Sequence, residues 1–101
     1  MKTSYIIYTN NSEKEIQEYI SRFNELWSNE EDELIIIDDF SEDQTVPIIV
    51  GTIGLFFKDE EHFKFYINKP RKGKTKSIQM AKKLASNWHK VIIGGKDDTS
   101  K

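Results

Sequence analysis

The order of apolar and polar positions predicts a strand, a helix and a second strand in the first forty residues. The strand at residues 4–8 contains a Tyr-Ile-Ile-Tyr run and ends at the polar residues 9–11, which is typical of a strand followed by a turn. Residues 34–37 are continuously apolar, which indicates a strand covered on both faces. Between these strands, one apolar face recurs at helical spacing and comprises Ile16, Tyr19, Ile20, Phe23, Leu26 and Trp27.

The start of that helix has its own sequence signature. Ser12 and Glu15 stand at the spacing of a capping box, in which the serine hydroxyl accepts an N–H three residues on and the glutamate reaches back. We therefore predict that the helix begins directly after Ser12 and ends at the polar pair Ser28 and Asn29.

The middle of the chain predicts a β-hairpin. Residues 46–58 are predicted to form one long strand, in which Gly51 and Gly54 mark a bulge or a close approach by another group. Residues 59–61 supply the turn, and residues 62–68 return as the next strand with alternating faces.

A second helix and a last strand complete the pattern. The helix is predicted over residues 78–88, with its cap near Thr75 or Ser77, and the strand over residues 91–93. The helix should bury the stripe Ile78, Ala81, Leu84, Ala85 and Trp88.

The predicted order is β-α-β-β-β-α-β. It indicates an α+β fold, a two-layer α/β sandwich in which two helices pack on a mostly antiparallel central sheet. We expect a single domain over residues 1–95, because 101 residues suffice for one domain, and a mobile polar tail over residues 96–101.

Composition excludes several classes of protein. The chain has no cysteine, so disulfide scaffolds and thiolate–zinc sites are excluded. His62 and His89 are its only histidines and are far apart in the sequence, so we predict no metal site. The sequence has neither an apolar run long enough to span a bilayer nor a signal-peptide pattern. We therefore expect a cytoplasmic protein with no membrane partner.

Charge is divided unevenly along the chain, although its net value is only −2. Residues 1–61 contain 4 basic and 15 acidic residues, whereas residues 62–101 contain 11 basic and 2 acidic residues. Such a division indicates a dipolar surface, on which partners of either sign are conceivable.

The basic half supplies the clearest candidate site, a loop between a strand and a helix. Backbone N–H groups at such a loop are a common way of presenting donors to an anion. The candidate anion- or partner-binding residues are Lys69, Arg71, Lys72, Gly73, Lys74 and Lys76. The anion is left open at this point: the chain's own segment 30–43, a phosphate backbone and an acidic partner all fit.

The acidic half supplies a second candidate. A possible acidic interaction surface comprises Glu30, Glu31, Asp32, Asp38, Asp39, Glu42 and Asp43. Paired acids such as Asp38 and Asp39 at the end of a strand can bind a divalent cation or act as acid and base. Because no third ligand converges on them in the sequence, we favour a solvated loop.

Two known loop types resemble the basic segment only in part. A phosphate-binding P-loop needs a glycine where Asn68 stands, so an NTPase is disfavoured. Residues 77–83 are similar to the opening of the last helix in double-stranded RNA-binding domains. Ile78 and Gln79 occupy the positions of the paired lysines of that family, but a nucleic-acid-binding domain remains an alternative.

A third resemblance covers residues 12–93, whose layout is similar to the GNAT N-acetyltransferases. Residues 50–55 look like the central antiparallel strand of that family, and Lys72-Gly73-Lys74 precedes a helix as its pyrophosphate loop does. The resemblance implies that N–H groups of residues 73–77 face an acyl-CoA pyrophosphate. Thr75 replaces the second loop glycine, and the chain stops before the last family elements. It therefore implies a truncated or degenerate member without catalysis.

No catalytic set is visible, because the sequence contains neither a Gly-x-Ser-x-Gly motif nor a cysteine nucleophile. We therefore predict a non-enzymatic binding protein without a cofactor, an inhibitor or adaptor whose separated charge steers it onto a protein partner. Composition suits a bacterial or phage product. The alternatives are nucleic acid at the 69–76 loop and a GNAT-like acyl-CoA-binding domain. Oligomeric state is left open.

Overall fold

A computed structural model describes residues 2–28, 30–53 and 62–94 of the chain. Within these ranges four strands alternate with three helices. The elements are β1 (Thr3–Thr9), α1 (Ile16–Leu26), β2 (Glu33–Asp38), α2 (Thr45–Ile53), β3 (Phe63–Ile67), α3 (Lys74–Leu84) and β4 (His89–Ile92). The prediction of a mixed α and β fold is confirmed.

The four strands form one sheet in the order β3-β2-β1-β4, and every neighbouring pair is parallel. The prediction of a mostly antiparallel sheet is therefore wrong. Parallel neighbours need a crossover between them, and in this chain each crossover contains a helix. All four strands consequently end at the same edge of the sheet.

Helices cover both faces of the sheet. On one face, alternate residues of β1 and β2 pack against α1 and α2, and this cluster includes Ile7, Ile36, Phe23 and Ile49. On the other face, Ile6, Ile35 and Ile37 pack against Ala81 of α3. The two-layer arrangement is therefore corrected to three layers. Burial on both faces explains why β1 and β2 are continuous apolar runs.

The largest error in the predicted elements is at residues 46–58, where the expected strand is absent from the described part. Residues 45–53 form α2 instead, and Ile49 and Ile53, four residues apart, face the core. Asp43 accepts a hydrogen bond from the first N–H of the helix, that of Thr45, at 2.9 Å. Pro47 lies in the first turn, where a proline is tolerated. Gly54 and the expected hairpin turn at residues 59–61 lie outside the described residues.

The predicted capping box is also wrong. Helix α1 begins at Ile16 and has no side-chain cap. The Ser12 hydroxyl accepts a hydrogen bond from the Asn10 backbone N–H at 3.1 Å, and the Ser12 carbonyl accepts the N–H groups of Glu15 and Ile16. Ser12 therefore holds the loop after β1 to the start of α1.

The second predicted helix is present but begins earlier. Helix α3 starts at Lys74 with Gly73 as its N-cap and ends at Leu84, so it does not reach Trp88. Trp88 is 94% exposed, and the fully buried residues of the helix are Ser77 and Ala81. The predicted buried stripe is therefore wrong at Trp88.

Two predictions about the whole chain stay predictions. These are the single domain over residues 1–95 and the cytoplasmic location. The expected mobile tail at residues 96–101 lies outside the described residues. Among the helices of the described ranges, none is both long and apolar enough to cross a bilayer.

Candidate functional site

The carboxyl edge of the sheet brings together three polar loops. They follow β1, β2 and β3 and comprise residues 10–15, 39–44 and 68–73. The chain passes from β1 to β2 and β3 on one side, whereas β4 lies on the other side of β1. In open parallel sheets, ligands bind at the carboxyl ends of strands where the strand order reverses in this way. The edge beside β1 is therefore the candidate site.

Asp39 is the centre of this edge. Its side chain is fully buried and accepts hydrogen bonds from five donors, one on β1 and four on the loop of residues 68–73. The donors are the Tyr8 hydroxyl at 2.8 Å, Asn68 Nδ2 at 3.0 Å, Arg71 Nε at 3.3 Å, the Lys72 N–H at 2.7 Å and the Gly73 N–H at 2.9 Å. One carboxylate thus ties the ends of β1 and β2 to the loop before α3.

These donors also fix the charge of Asp39. Burial by itself would raise the pKa of the carboxyl group. Hydrogen bonds from the Lys72 N–H, the Asn68 amide, the Tyr8 hydroxyl and the Gly73 N–H outweigh burial, and they hold the pKa below its ordinary value. Asp39 is therefore a carboxylate at neutral pH.

Asp38 and Asn11 hold the loop after β2 against the loop after β1. Asp38 Oδ1 accepts hydrogen bonds from the Thr9 hydroxyl at 2.7 Å and the Ser41 hydroxyl at 2.6 Å. The Asn11 N–H donates to the Ser41 hydroxyl, and its side-chain oxygen accepts the Glu42 N–H at 2.8 Å. The solvated loop expected at Asp38 and Asp39 is wrong, because both side chains are buried and engaged.

The predicted basic residues also gather at this edge. Lys69, Lys72 and Lys76 are exposed, and Lys74 begins α3. Arg71 pairs with Asp39 at 3.3 Å. Gly73 has φ +90°, a conformation that favours glycine, and this turns its N–H toward Asp39. Of the N–H groups of residues 73–77 expected to face an external anion, that of Gly73 is bonded to the chain's own Asp39, as is the neighbouring N–H of Lys72.

The structure separates the predicted acidic residues into two groups. Asp38 ends β2 at the carboxyl edge, and Asp39, Glu42 and Asp43 follow it there. Residues 30–32 precede β2, so they lie at the opposite edge, ~20 Å away across a six-residue strand. Among these, Asp32 is buried and accepts the Thr3 N–H at 2.8 Å. The seven residues do not form one continuous surface.

Tyr8, Asn68 and Phe40 belong to the edge but were missed as site residues in the sequence. Tyr8 and Asn68 bind Asp39, and Phe40 is 45% exposed beside it. A predicted parallel sheet would have placed Tyr8 and Asn68 at one edge, because each lies where a strand ends. The antiparallel prediction placed the ends of neighbouring strands at opposite edges and so concealed them.

Comparison with known proteins gives a consistent answer. The sequence profile described as glycosyl transferase family 2 matches residues 4–93. No curated protein sequence matches the chain. Nine solved chains also match, and three of them illustrate the similarity in fold.

Two of these structures are of S. aureus TarS. The structure of TarS 1–349 in complex with UDP is 27% identical, with 94% of this chain and 27% of that chain covered at a TM-score of 0.77. The complex with UDP-GlcNAc is 28% identical, with 91% and 26% covered at a TM-score of 0.74. This chain therefore spans about a quarter of the solved chains.

The third structure supports the fold alone. It is the mannosyltransferase PcManGT from Pyrobaculum calidifontis in complex with GDP-Man and Mn²⁺, and it is 19% identical. The alignment covers 84% of this chain and 24% of that chain at a TM-score of 0.72.

These matches overturn three predictions from the sequence. The GNAT resemblance is wrong, because the matching profile belongs to another family and residues 50–53 are helical. The non-enzymatic inhibitor or adaptor is wrong, because the matching family and the similar structures are glycosyltransferases. A protein or nucleic acid as the main partner is also wrong, because the matching family is one of glycosyltransferases and the TarS structures are complexes with UDP or UDP-GlcNAc.

Proposed function

We propose, from the premise that the chain belongs to glycosyl transferase family 2, that its carboxyl edge binds the nucleotide of a sugar donor. The observation that carries the proposal is the set of loops joined by Asp39, which lies where ligands of parallel sheets bind. The TarS complexes with UDP and UDP-GlcNAc align with more than nine-tenths of this chain, so UDP is the first nucleotide to test.

In sugar transfer, the bond from the anomeric carbon to the diphosphate breaks, a bond to the oxygen of an acceptor hydroxyl forms, and that hydroxyl releases its proton to solvent. The nucleoside diphosphate leaves with the negative charge, which nearby cations stabilise. We propose that exposed Lys72 and Lys76 supply this positive charge at the start of α3. The backbone N–H groups of Lys72 and Gly73 are already bonded to Asp39. The diphosphate is therefore assigned to the lysine side chains and not to these N–H groups.

The described residues do not form a metal site. They contain no group of three or more His, Cys, Asp or Glu side chains that could hold an ion. Asp38 and Asp39 use their oxygens for hydrogen bonds within the chain. We therefore assign no metal-dependent step to these residues.

UDP binding is the direct test of the proposed function. Because a ligand that binds only the folded state stabilises it, UDP at ten times its dissociation constant should raise the melting temperature by about 5 °C or more. Inorganic phosphate at equal concentration is the control and should give a much smaller shift. If neither UDP nor GDP shifts melting at millimolar concentration, the proposal fails.

The lysine variants test where the diphosphate binds. We expect the double variant Lys72→Ala/Lys76→Ala to bind UDP about five- to tenfold more weakly, since each exposed charge contributes up to about 1 kcal/mol. The matched control is Lys82→Ala/Lys83→Ala, which removes the same charge from the last turn of α3 at the other edge. Titration calorimetry at two salt concentrations measures both. Equal weakening in the two variants would place the diphosphate elsewhere.

A further inference from the structure

Phe40 combines two unfavourable features at one position of the candidate site. Its backbone has φ +60°, a left-handed conformation that is strained for any residue with a Cβ atom. Its ring is 45% exposed to water. Glycine at this position would remove both the backbone strain and the exposed apolar ring. An outlier of this kind is a reason to look for a function of the side chain.

The residues on either side hold Phe40 in this conformation. The Asp39 N–H donates to the Thr9 carbonyl at 2.8 Å, and the Asp39 side chain is anchored by its five donors. The Ser41 N–H donates to Asp38 Oδ2 at 2.8 Å. The strained backbone of Phe40 is thus fixed by bonds made entirely by its neighbours.

The ring itself does not contribute to the core. Neither core cluster includes Phe40, and within residues 2–28, 30–53 and 62–94 no aromatic ring pairs with it. Packing therefore does not explain why a large apolar side chain stands here.

The position of Phe40 suits a planar ligand. Asn11 bonds to Ser41 and Glu42, so the loop that carries Phe40 lies directly against the loop after β1. The strand order reverses at β1, so the loop after β1 borders the expected nucleotide site and the loop with Phe40 lies next to it. An aromatic ring fixed in place before binding can stack on a nucleobase with little loss of entropy.

We propose that the ring of Phe40 is the platform on which the nucleobase of the donor stacks. This inference rests on the proposed function, because it assumes that a nucleotide binds at this edge. Every nucleobase has a π face, so the platform supports affinity without selecting one base over another. The strained backbone is retained because it presents the ring to solvent at the binding edge.

Titration calorimetry of the full chain tests the platform with two probes, UDP and inorganic pyrophosphate, which lacks a base. We expect Phe40→Gly to bind UDP about tenfold more weakly, on the scale of base–aromatic stacking, and to leave pyrophosphate binding unchanged. Phe40→Trp should restore wild-type UDP affinity. Trp88→Ala is the matched control, because Trp88 is an exposed ring at the opposite edge.

Thermal unfolding separates the platform from a structural role. Phe40→Gly should melt at or above the wild-type temperature, since glycine adopts φ +60° without strain. A lower melting temperature, or equal weakening of UDP and pyrophosphate binding, would show a structural role and overturn the platform. Equal UDP affinity in wild type and Phe40→Gly would overturn the platform and leave the proposed function intact. If the wild-type chain binds no nucleotide, the proposed function itself is overturned, and the platform with it.

Discussion

We expect Asp39→Asn to lower the free energy of unfolding by about 3–5 kcal/mol, which is the scale for removing one partner from a buried charged network. An amide has one acceptor oxygen, whereas the buried carboxylate serves five donors. If the amide nitrogen replaces Oδ2, it faces the donors of Tyr8, Arg71 and Gly73. In the reversed orientation it faces Asn68 and Lys72. Either arrangement leaves buried donors without an acceptor.

Thermal and chemical unfolding measure this loss. The melting temperature should fall by about 12 °C or more for a domain of this size. Glu42→Gln is the matched control, because it makes the same change at an exposed carboxylate three residues away and should stay within about 0.5 kcal/mol of wild type. Equal stability of the two variants would show that Asp39 is not the anchor of the edge.

The pH dependence of the free energy of unfolding is an independent test of the stabilising role of Asp39. The pKa of Asp39 is lower in the folded chain than in the unfolded chain, so its stabilising effect is fully present above the unfolded value of about 4. That effect is lost as pH falls through the lower folded value. Asp39→Asn has no such titration, and its stability should fall less on acidification than that of wild type.

The second large effect is expected at Gly94, which follows β4 and packs on the ring of Tyr19. A Cβ atom on residue 94 would overlap with Tyr19 Cε1, and the φ of +65° at this residue favours glycine. Tyr19 is buried in the core and cannot move away freely. We expect Gly94→Ala to cost about 3 kcal/mol, since overpacking and left-handed strain add.

Two other glycines provide matched controls for the same substitution. At Gly51, in α2, an added Cβ meets nothing within 4 Å, so Gly51→Ala should stabilise the chain by about 0.5–1 kcal/mol. Gly73 also has free space but has φ +90°, so Gly73→Ala should cost about 1–2 kcal/mol. Denaturant unfolding should rank the variants in that order, with Gly94→Ala last. If Gly94→Ala proved as stable as Gly73→Ala, the close contact between residue 94 and Tyr19 would be contradicted.

The parts of the fold that could be predicted from the sequence are those where burial is reflected directly in the residue pattern. Residues 34–37 are apolar throughout because both faces of β2 are covered, and α1 has its apolar residues on one face. Residues 46–53 were misread because Ile and Val favour strands, whereas burial of Ile49 and Ile53 against α1 favours a helix here. The preference of single residues for strands is weak, so packing against the core determined the secondary structure of residues 46–53.

The candidate site was only half predictable for a related reason. The basic loop was identified from its charge and from its place between a strand and a helix. Its partner, Asp39, was read as part of a solvated loop, because adjacent acids in a sequence do not reveal that residues 68–73 fold back onto them. That contact joins residues more than 28 positions apart and depends on parallel strands, which no local pattern specifies.

The five bonds of Asp39 also determine how the edge responds to a ligand. The Lys72 and Gly73 amides are held by a buried carboxylate, so their hydrogens should exchange with solvent only when β2 and the loop before α3 separate. Such opening breaks bonds to Tyr8 and Asn68 as well, and it is therefore a rare, large-scale event. The segment before α3 consequently behaves as a rigid wall of the site and not as a moving lid, and ligands meet an edge already in its final shape.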